Sequence, residues 1–238
     1  MSGTEFWSAE SLRFTFFYCE DAPDELKPSW ATLVGEQPAN RTERRSQQVV
    51  EEDGVWEDMS LVVASSPGRI DVMARELNSS SGFPVIGEFE STLARFRSLL
   101  AQIDFSKVNR IAVGGVLLHP EPDNASAYDT LGKFLPNIKF DAESREFFYQ
   151  INRPFGVEVE GFDDFKFNSI RRWSAVQLQL LSLEGSSVYT KVSVASRLEL
   201  DVNSPADVEL SRTVGAASRA LEIVVDNLIE VARGGCNA

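Results

Sequence analysis

Two short polar groups in the chain carry residue types that could do chemistry. Asn152-Arg153-Pro154 closes a run in which Phe147, Tyr149 and Ile151 alternate with Phe148 and Gln150, and Arg171-Arg172-Trp173 lies inside a second apolar run. An arginine beside an aromatic can stack on the ring, and its planar fork of N–H donors can clamp a carboxylate or phosphate. If the strands that carry them pair, Asn152, Arg153, Arg171, Arg172 and Trp173 form an arginine-lined cleft for a small anion. The plainer role for these arginines is an internal ion pair with Glu199 or Asp201.

A second group is acidic. Glu51-Glu52-Asp53 and Glu57-Asp58 lie around Asp53-Gly54, a dipeptide suited to a tight hairpin turn because both residues tolerate positive φ. Metal or glycosidic chemistry needs carboxylates that converge inside a cleft, whereas carboxylates at a hairpin tip are solvated. Glu51, Glu52, Asp53, Glu57 and Asp58 are therefore expected to meet a protein partner with a basic surface.

Other signatures are missing. His119 is the single histidine, it stands just before Pro120, and no particular serine or carboxylate is marked as its partner. Gly114-Gly115 lacks the third glycine and the following helix of a dinucleotide fingerprint, and the lysine of a phosphate loop is absent, so close backbone packing explains the pair. Cys19 and Cys236 are far apart and without metal-ligand spacing. No catalytic residue, metal ligand or cofactor is expected.

Composition sets the broader limits. The chain has 238 residues, 43% of them apolar and 25% charged, which suits a globular protein rather than a disordered one. Its formal net charge is −13, and residues 1–60 hold thirteen acidic against five basic side chains. That balance argues against direct nucleic-acid binding. The N-terminus lacks the basic and apolar regions of a signal peptide, and no stretch reaches the ~20 apolar residues of a membrane span. A cytoplasmic location is expected, with oligomeric state left open.

The elements that must position these groups follow from periodicity. Ser11–Cys19 puts Leu12, Phe14, Phe16 and Tyr18 on one face and Arg13, Thr15 and Phe17 on the other, which predicts a central strand. Residues 37–76 predict an antiparallel meander, with turns at Asp53-Gly54 and Ser65–Gly68. Phe89, Leu93, Phe96, Leu100 and Ile103 predict a helix over 88–103. Val108–Leu118 reads as a buried strand ended by Pro120 and Pro122, and Ala125–Leu135 as a short helix. Strands are expected at 146–155, 165–183 and 188–202, the last two joined by a turn at Gly185–Ser187. Ser204-Pro205 offers a helix start, and the stripe Leu210, Val214, Ala217, Leu221, Val224, Leu228 and Val231 predicts a helix over 205–233.

The fold expected is α+β in a single domain, 1–238. A bent, mainly antiparallel sheet, or two related half-sheets, carries the long helices on one face. The recurrence of β-β-β-α suggests pseudo-repeated halves, 1–140 and 141–238. The early strand around Arg13-Phe14, the start Val108-Asn109-Arg110-Ile111 after an amphipathic helix, and Leu198-Glu199-Leu200-Asp201 before the last helix resemble a sporadically distributed family of uncharacterised bacterial α+β proteins. That resemblance implies the architecture and no chemistry; the family's distribution suggests a link to mobile elements or defence. The expected function is a non-enzymatic interaction or accessory protein, with small-anion binding as the alternative and an enzyme third.

Overall fold

The structure, a computed structural model, describes residues 7–77, 82–140, 145–184 and 187–234. The chain begins with β1 (Ser8–Tyr18), a one-turn helix α1 (Trp30–Val34), and the strands β2 (Asn40–Arg44), β3 (Val49–Trp56), β4 (Met59–Ser66) and β5 (Arg69–Glu76). A short β6 (Gly87–Glu88) leads into α2 (Phe89–Leu100), followed by β7 (Val108–Glu121) and α3 (Asn124–Phe134). Then come β8 (Phe148–Asn152), β9 (Phe155–Gly156), the long pair β10 (Lys166–Glu184) and β11 (Ser187–Asn203), and α4 (Ala216–Ala232). The sheet order is β2-β3-β4-β5-β1-β7-β11-β10-β8, and every pairing along it is antiparallel. This is a mainly antiparallel sheet with four helices, an α+β fold.

Alternation divides the central strands into an apolar and a polar side. Leu12, Phe14 and Phe16 of β1, Ile70, Val72 and Ala74 of β5, Ile111, Val113 and Leu117 of β7, and Leu198, Leu200 and Val202 of β11 are all buried. The helices contribute to the same core: Phe96 of α2 stacks on Phe14 with ring centroids 5.0 Å apart, and Ser196 of β11 donates to the Ala127 carbonyl of α3. Trp7 donates its indole N–H to the Ala232 carbonyl at the end of α4. Ion pairs Arg97–Asp226 and Arg233–Glu90 join α2 to α4.

Local chemistry explains most boundaries. Ser29 and Thr32 form a capping box at α1, and Gly35, at φ +84°, closes it in a left-handed conformation that glycine adopts without cost. The Glu88 carboxylate accepts from the Glu90 and Ser91 N–H groups at the start of α2, and Asp123 accepts from Ser126 N–H at the start of α3. That bond, made to the charged form, holds the Asp123 carboxyl below the ordinary carboxylate range.

Three boundaries differ from the sequence expectation. The β3–β4 turn is at Glu57-Asp58, not Asp53-Gly54: Trp56 pairs with Met59, and Glu57 takes φ +54°. Gly54 lies inside β3 because Trp30 packs against it; a Cβ there would stand 2.8 Å from the indole Cζ2. β7 runs through Pro120, which pairs with Ala195 of β11 after β1 has ended opposite Leu118. With a neighbour on one side only, the missing proline N–H is not demanded by the ladder.

The third difference concerns α4, which begins at Ala216 rather than Ser204. Ser204 is spent on the sheet: its N–H donates to the Ile111 carbonyl at 3.0 Å, and its buried Oγ accepts from the Ile111 N–H at 3.0 Å. A 3-10 turn at Leu210–Arg212 buries Leu210, and Gly215 at φ +78° starts the helix. Val214 therefore leaves the predicted stripe and is fully exposed. Ser204→Ala removes the acceptor of a buried N–H, which costs ~1–3 kcal/mol. Urea unfolding should show a lower midpoint with an unchanged slope, and an unchanged midpoint would contradict this role of Ser204. The Gly185-Ser186 turn expected between β10 and β11 lies outside the described residues.

Candidate functional site

The polar side of the sheet is built by the same alternation that builds the core. On β1 the outward positions Ser11 and Arg13 face, in register, Arg75 and Met73 of β5 on one side and Val116 and Gly114 of β7 on the other. Beyond β7, Gly114 pairs with Asp201 and Val116 with Glu199 of β11, and Glu199 pairs with Arg172 of β10. Five strands thus bring residues from five separate stretches of sequence to one hollow of about 340 Å³. Its floor is Gly114, with Arg13 and Arg75 on one flank and Asp201, Glu199 and Arg172 on the other.

The two glycines do different work. A Cβ on Gly115 would meet Leu12 Cδ2 at 3.1 Å, so this glycine admits the core leucine beneath it. On Gly114 a Cβ would lie 3.9 Å from Arg13 Nη2 and 3.5 Å from the Leu200 carbonyl, ordinary contacts. Packing does not require glycine at 114. What its absent side chain provides is the open floor.

The charges of the two flanks are not equivalent. Glu199 is compensated twice: Arg172 Nη1 reaches Oε2 at 3.2 Å, and Arg197 Nη1 donates to Oε1. Arg172 also donates from Nε to Gln150 Oε1 at 2.7 Å. Arg13 and Arg75 are exposed, and among the described residues neither has a hydrogen bond, ion pair or ring contact. They are diagonal neighbours across β1 and β5, a relation that puts backbone positions roughly 7–8 Å apart. In a chain with 36 acidic and 23 basic side chains, two neighbouring arginines left without a carboxylate are an exception to the pairing found elsewhere on this face.

The residues singled out in sequence are only partly brought together. Arg172 lines the hollow, and its ion pair with Glu199 is the internal pairing considered above. Arg171 and Trp173, adjacent to it in the strand, are buried on the other side, where Arg171 Nε donates to Ser169 Oγ at 3.4 Å and Trp173 lies 5.9 Å from the Tyr149 ring. Asn152 accepts from the Ser169 N–H at 3.2 Å, and the Arg153 N–H donates to the Ser169 carbonyl, so both bind the chain to β10. Arg171 and Arg172 cannot share a cleft, because successive residues of a strand face opposite ways.

The acidic group is likewise dispersed over a strand and a turn. Glu51 pairs with Arg44, Glu52 with Arg41 and the Trp30 N–H, and Asp53 with Asn40 Nδ2. Glu57 and Asp58, at the turn itself, both receive Arg95 of α2, and that bond holds the Asp58 carboxyl below its ordinary range. Each of the five carboxylates thus has a partner within the chain. His119 Nδ1 lies 2.9 Å from Glu121 Oε1, which also accepts from Ser196 Oγ at 3.3 Å. The carboxylate stands between histidine and serine, so the imidazole is not placed to take the serine proton, as a nucleophilic site requires.

Other concavities are lined by different residues. A groove of about 780 Å³ runs between the end of α2 and the start of α4, with Leu100, Ile103, Phe105 and Val225 among its walls. Its ionic groups are occupied: Arg97 with Asp226, Glu222 with Arg219, and Asp104 with the Ser106 N–H. Among the described residues no cluster of three or more His, Cys, Asp or Glu side chains could hold a metal ion, and no helix is long and apolar enough to cross a membrane. No protein-family model matches the chain, and no curated protein matches it either.

Arg13 and Arg75 are not singled out by the sequence, and Asp201 enters there only as an ion-pair partner for the later arginines. The available signals were an arginine inside an otherwise apolar strand, two glycines within another, and acidic residues alternating with Leu198 and Leu200.

Proposed function

We propose that this protein binds a small anionic ligand, one bearing a carboxylate or phosphate, at the Gly114 hollow. The observation that carries the reading is the pair Arg13 and Arg75, exposed side by side and without an ionic partner among the described residues. The finer architecture belongs to the same reading. Halves 1–140 and 141–238 would meet where β7 pairs with β11. Long helices packed on one face would leave the polar face free for a ligand.

Thermal-shift screening with inorganic phosphate, phosphorylated metabolites and carboxylates tests the proposal. Saturable stabilisation by a subset of anions is expected, weakening as salt rises because an exposed site is screened. Gly114→Val should abolish it by filling the floor with a side chain that strands favour. A flat response across the library counts against the reading.

A second reading, a non-enzymatic interaction protein, draws on the far edge of the sheet. Beyond the Gln177–Val194 pair, β10 and β11 pair with no strand but each other among the described residues. Phe148 and Val192 are large exposed apolar side chains on these strands and on β8. Isolated two-stranded ribbons are marginal in water, and unpaired edges recruit strands. Reproducible capture of one protein from lysate, lost in Phe148→Glu, would support it.

A further inference from the structure

Arg13 and Asp201 flank Gly114 in the same register, one on each neighbouring strand. Opposite charges so placed would ordinarily close on each other, yet no ion pair joins them. Two strand spacings set their backbones roughly 10 Å apart, and glycine leaves the space between them empty. Asp201 accepts one side-chain hydrogen bond, from Asn203 Nδ2 at 3.4 Å, and no cation neutralises it among the described residues. Its neighbour Glu199 has two arginines. The hollow therefore ends in an uncompensated cationic pair on one side and an uncompensated carboxylate on the other.

We infer that the ligand is a small zwitterion, an amino acid or dipeptide. Its carboxylate lies on Arg13 and Arg75, and its ammonium on Asp201. The inference rests on the anion-binding reading above and adds the second charge. A purely anionic ligand would leave Asp201 unused and be repelled by it, whereas a zwitterion satisfies both flanks without the hollow changing its net charge. A cavity of about 340 Å³ is at the small end of ligand sites, which span ~300–1,000 Å³, and this size suits such a molecule.

Glycylglycine and acetylglycine differ only in the ammonium group, which makes them a matched pair of probes. Calorimetric titration at low ionic strength should give glycylglycine at least ~10-fold tighter binding than acetylglycine, the ratio expected for one charge-assisted hydrogen bond. Asp201→Asn, nearly isosteric, should bring the ratio close to one, both by weakening glycylglycine and, with the repelling charge gone, by tightening acetylglycine. Equal affinities in the unaltered protein would overturn the inference without recourse to any variant. Binding of acetylglycine or phosphate with no preference for glycylglycine refutes the zwitterion and leaves the anion site standing. If phosphate, acetylglycine and glycylglycine all fail to bind, the anion site itself is refuted.

Discussion

Replacing Arg13 and Arg75 together by alanine should reduce anion affinity by about 100-fold or more. A hydrogen bond between charged groups contributes ~1.5–3 kcal/mol, and tenfold in affinity corresponds to ~1.4 kcal/mol, so each arginine accounts for roughly a factor of ten once its exposure is discounted. Neither side chain holds the fold. Both are exposed and lack partners among the described residues, so the double variant should keep its melting temperature or gain slightly, since two adjacent like charges are removed. Lysine at the same positions should recover only part of the affinity, because an ammonium lacks the bidentate fork. Affinity retained in the alanine variant, measured by calorimetry, would remove the arginine pair from the site.

The largest effect on stability is expected at Phe96. It is fully buried, stacks on Phe14 at 5.0 Å, and meets the Trp56 ring edge-on at 5.3 Å, so one side chain ties α2 to β1 and to the β3–β4 hairpin. Phe→Ala in such a site costs ~3–5 kcal/mol from lost transfer energy and the cavity left behind. For a chain of this size each kcal/mol lowers the melting temperature by ~2–4 °C, so Phe96→Ala should melt roughly 6–20 °C lower. A calorimetric scan showing a loss below about 2 °C would mean that the α2 packing relaxes into the gap. Below its melting temperature the variant should still bind the anion, because the hollow is on the other side of β1.

How far the sequence discloses this arrangement depends on whether the cause is local. The alternation Leu12, Phe14, Phe16 and the spacing Phe89, Leu93, Phe96, Leu100 reflect one strand face and one helix face, and each is legible from a dozen residues. The start of α4 is not, because Ser204 is a good helix cap by itself and is taken instead by Ile111, 93 positions earlier. Asp53-Gly54 has turn chemistry, but Trp30 requires a glycine inside β3, and no window around residue 54 contains that tryptophan. The site fails to show for the same reason. Arg13, Arg75, Gly114 and Asp201 have no motif in common; only the pairing of β5, β1, β7 and β11 assembles them. Arg172 was within reach because its partner Glu199 lies on the next strand of the same hairpin.

Mapping the ligand onto backbone amides tests the central claim most directly. In a ¹⁵N–¹H NMR titration with phosphate or acetylglycine, the amides of Gly114, Gly115 and Arg13 and the Nε–H of Arg13 and Arg75 should shift together along one saturable isotherm. Shifts confined instead to the groove between α2 and α4, around Ile103 and Gly215, or none at saturating anion, would contradict it.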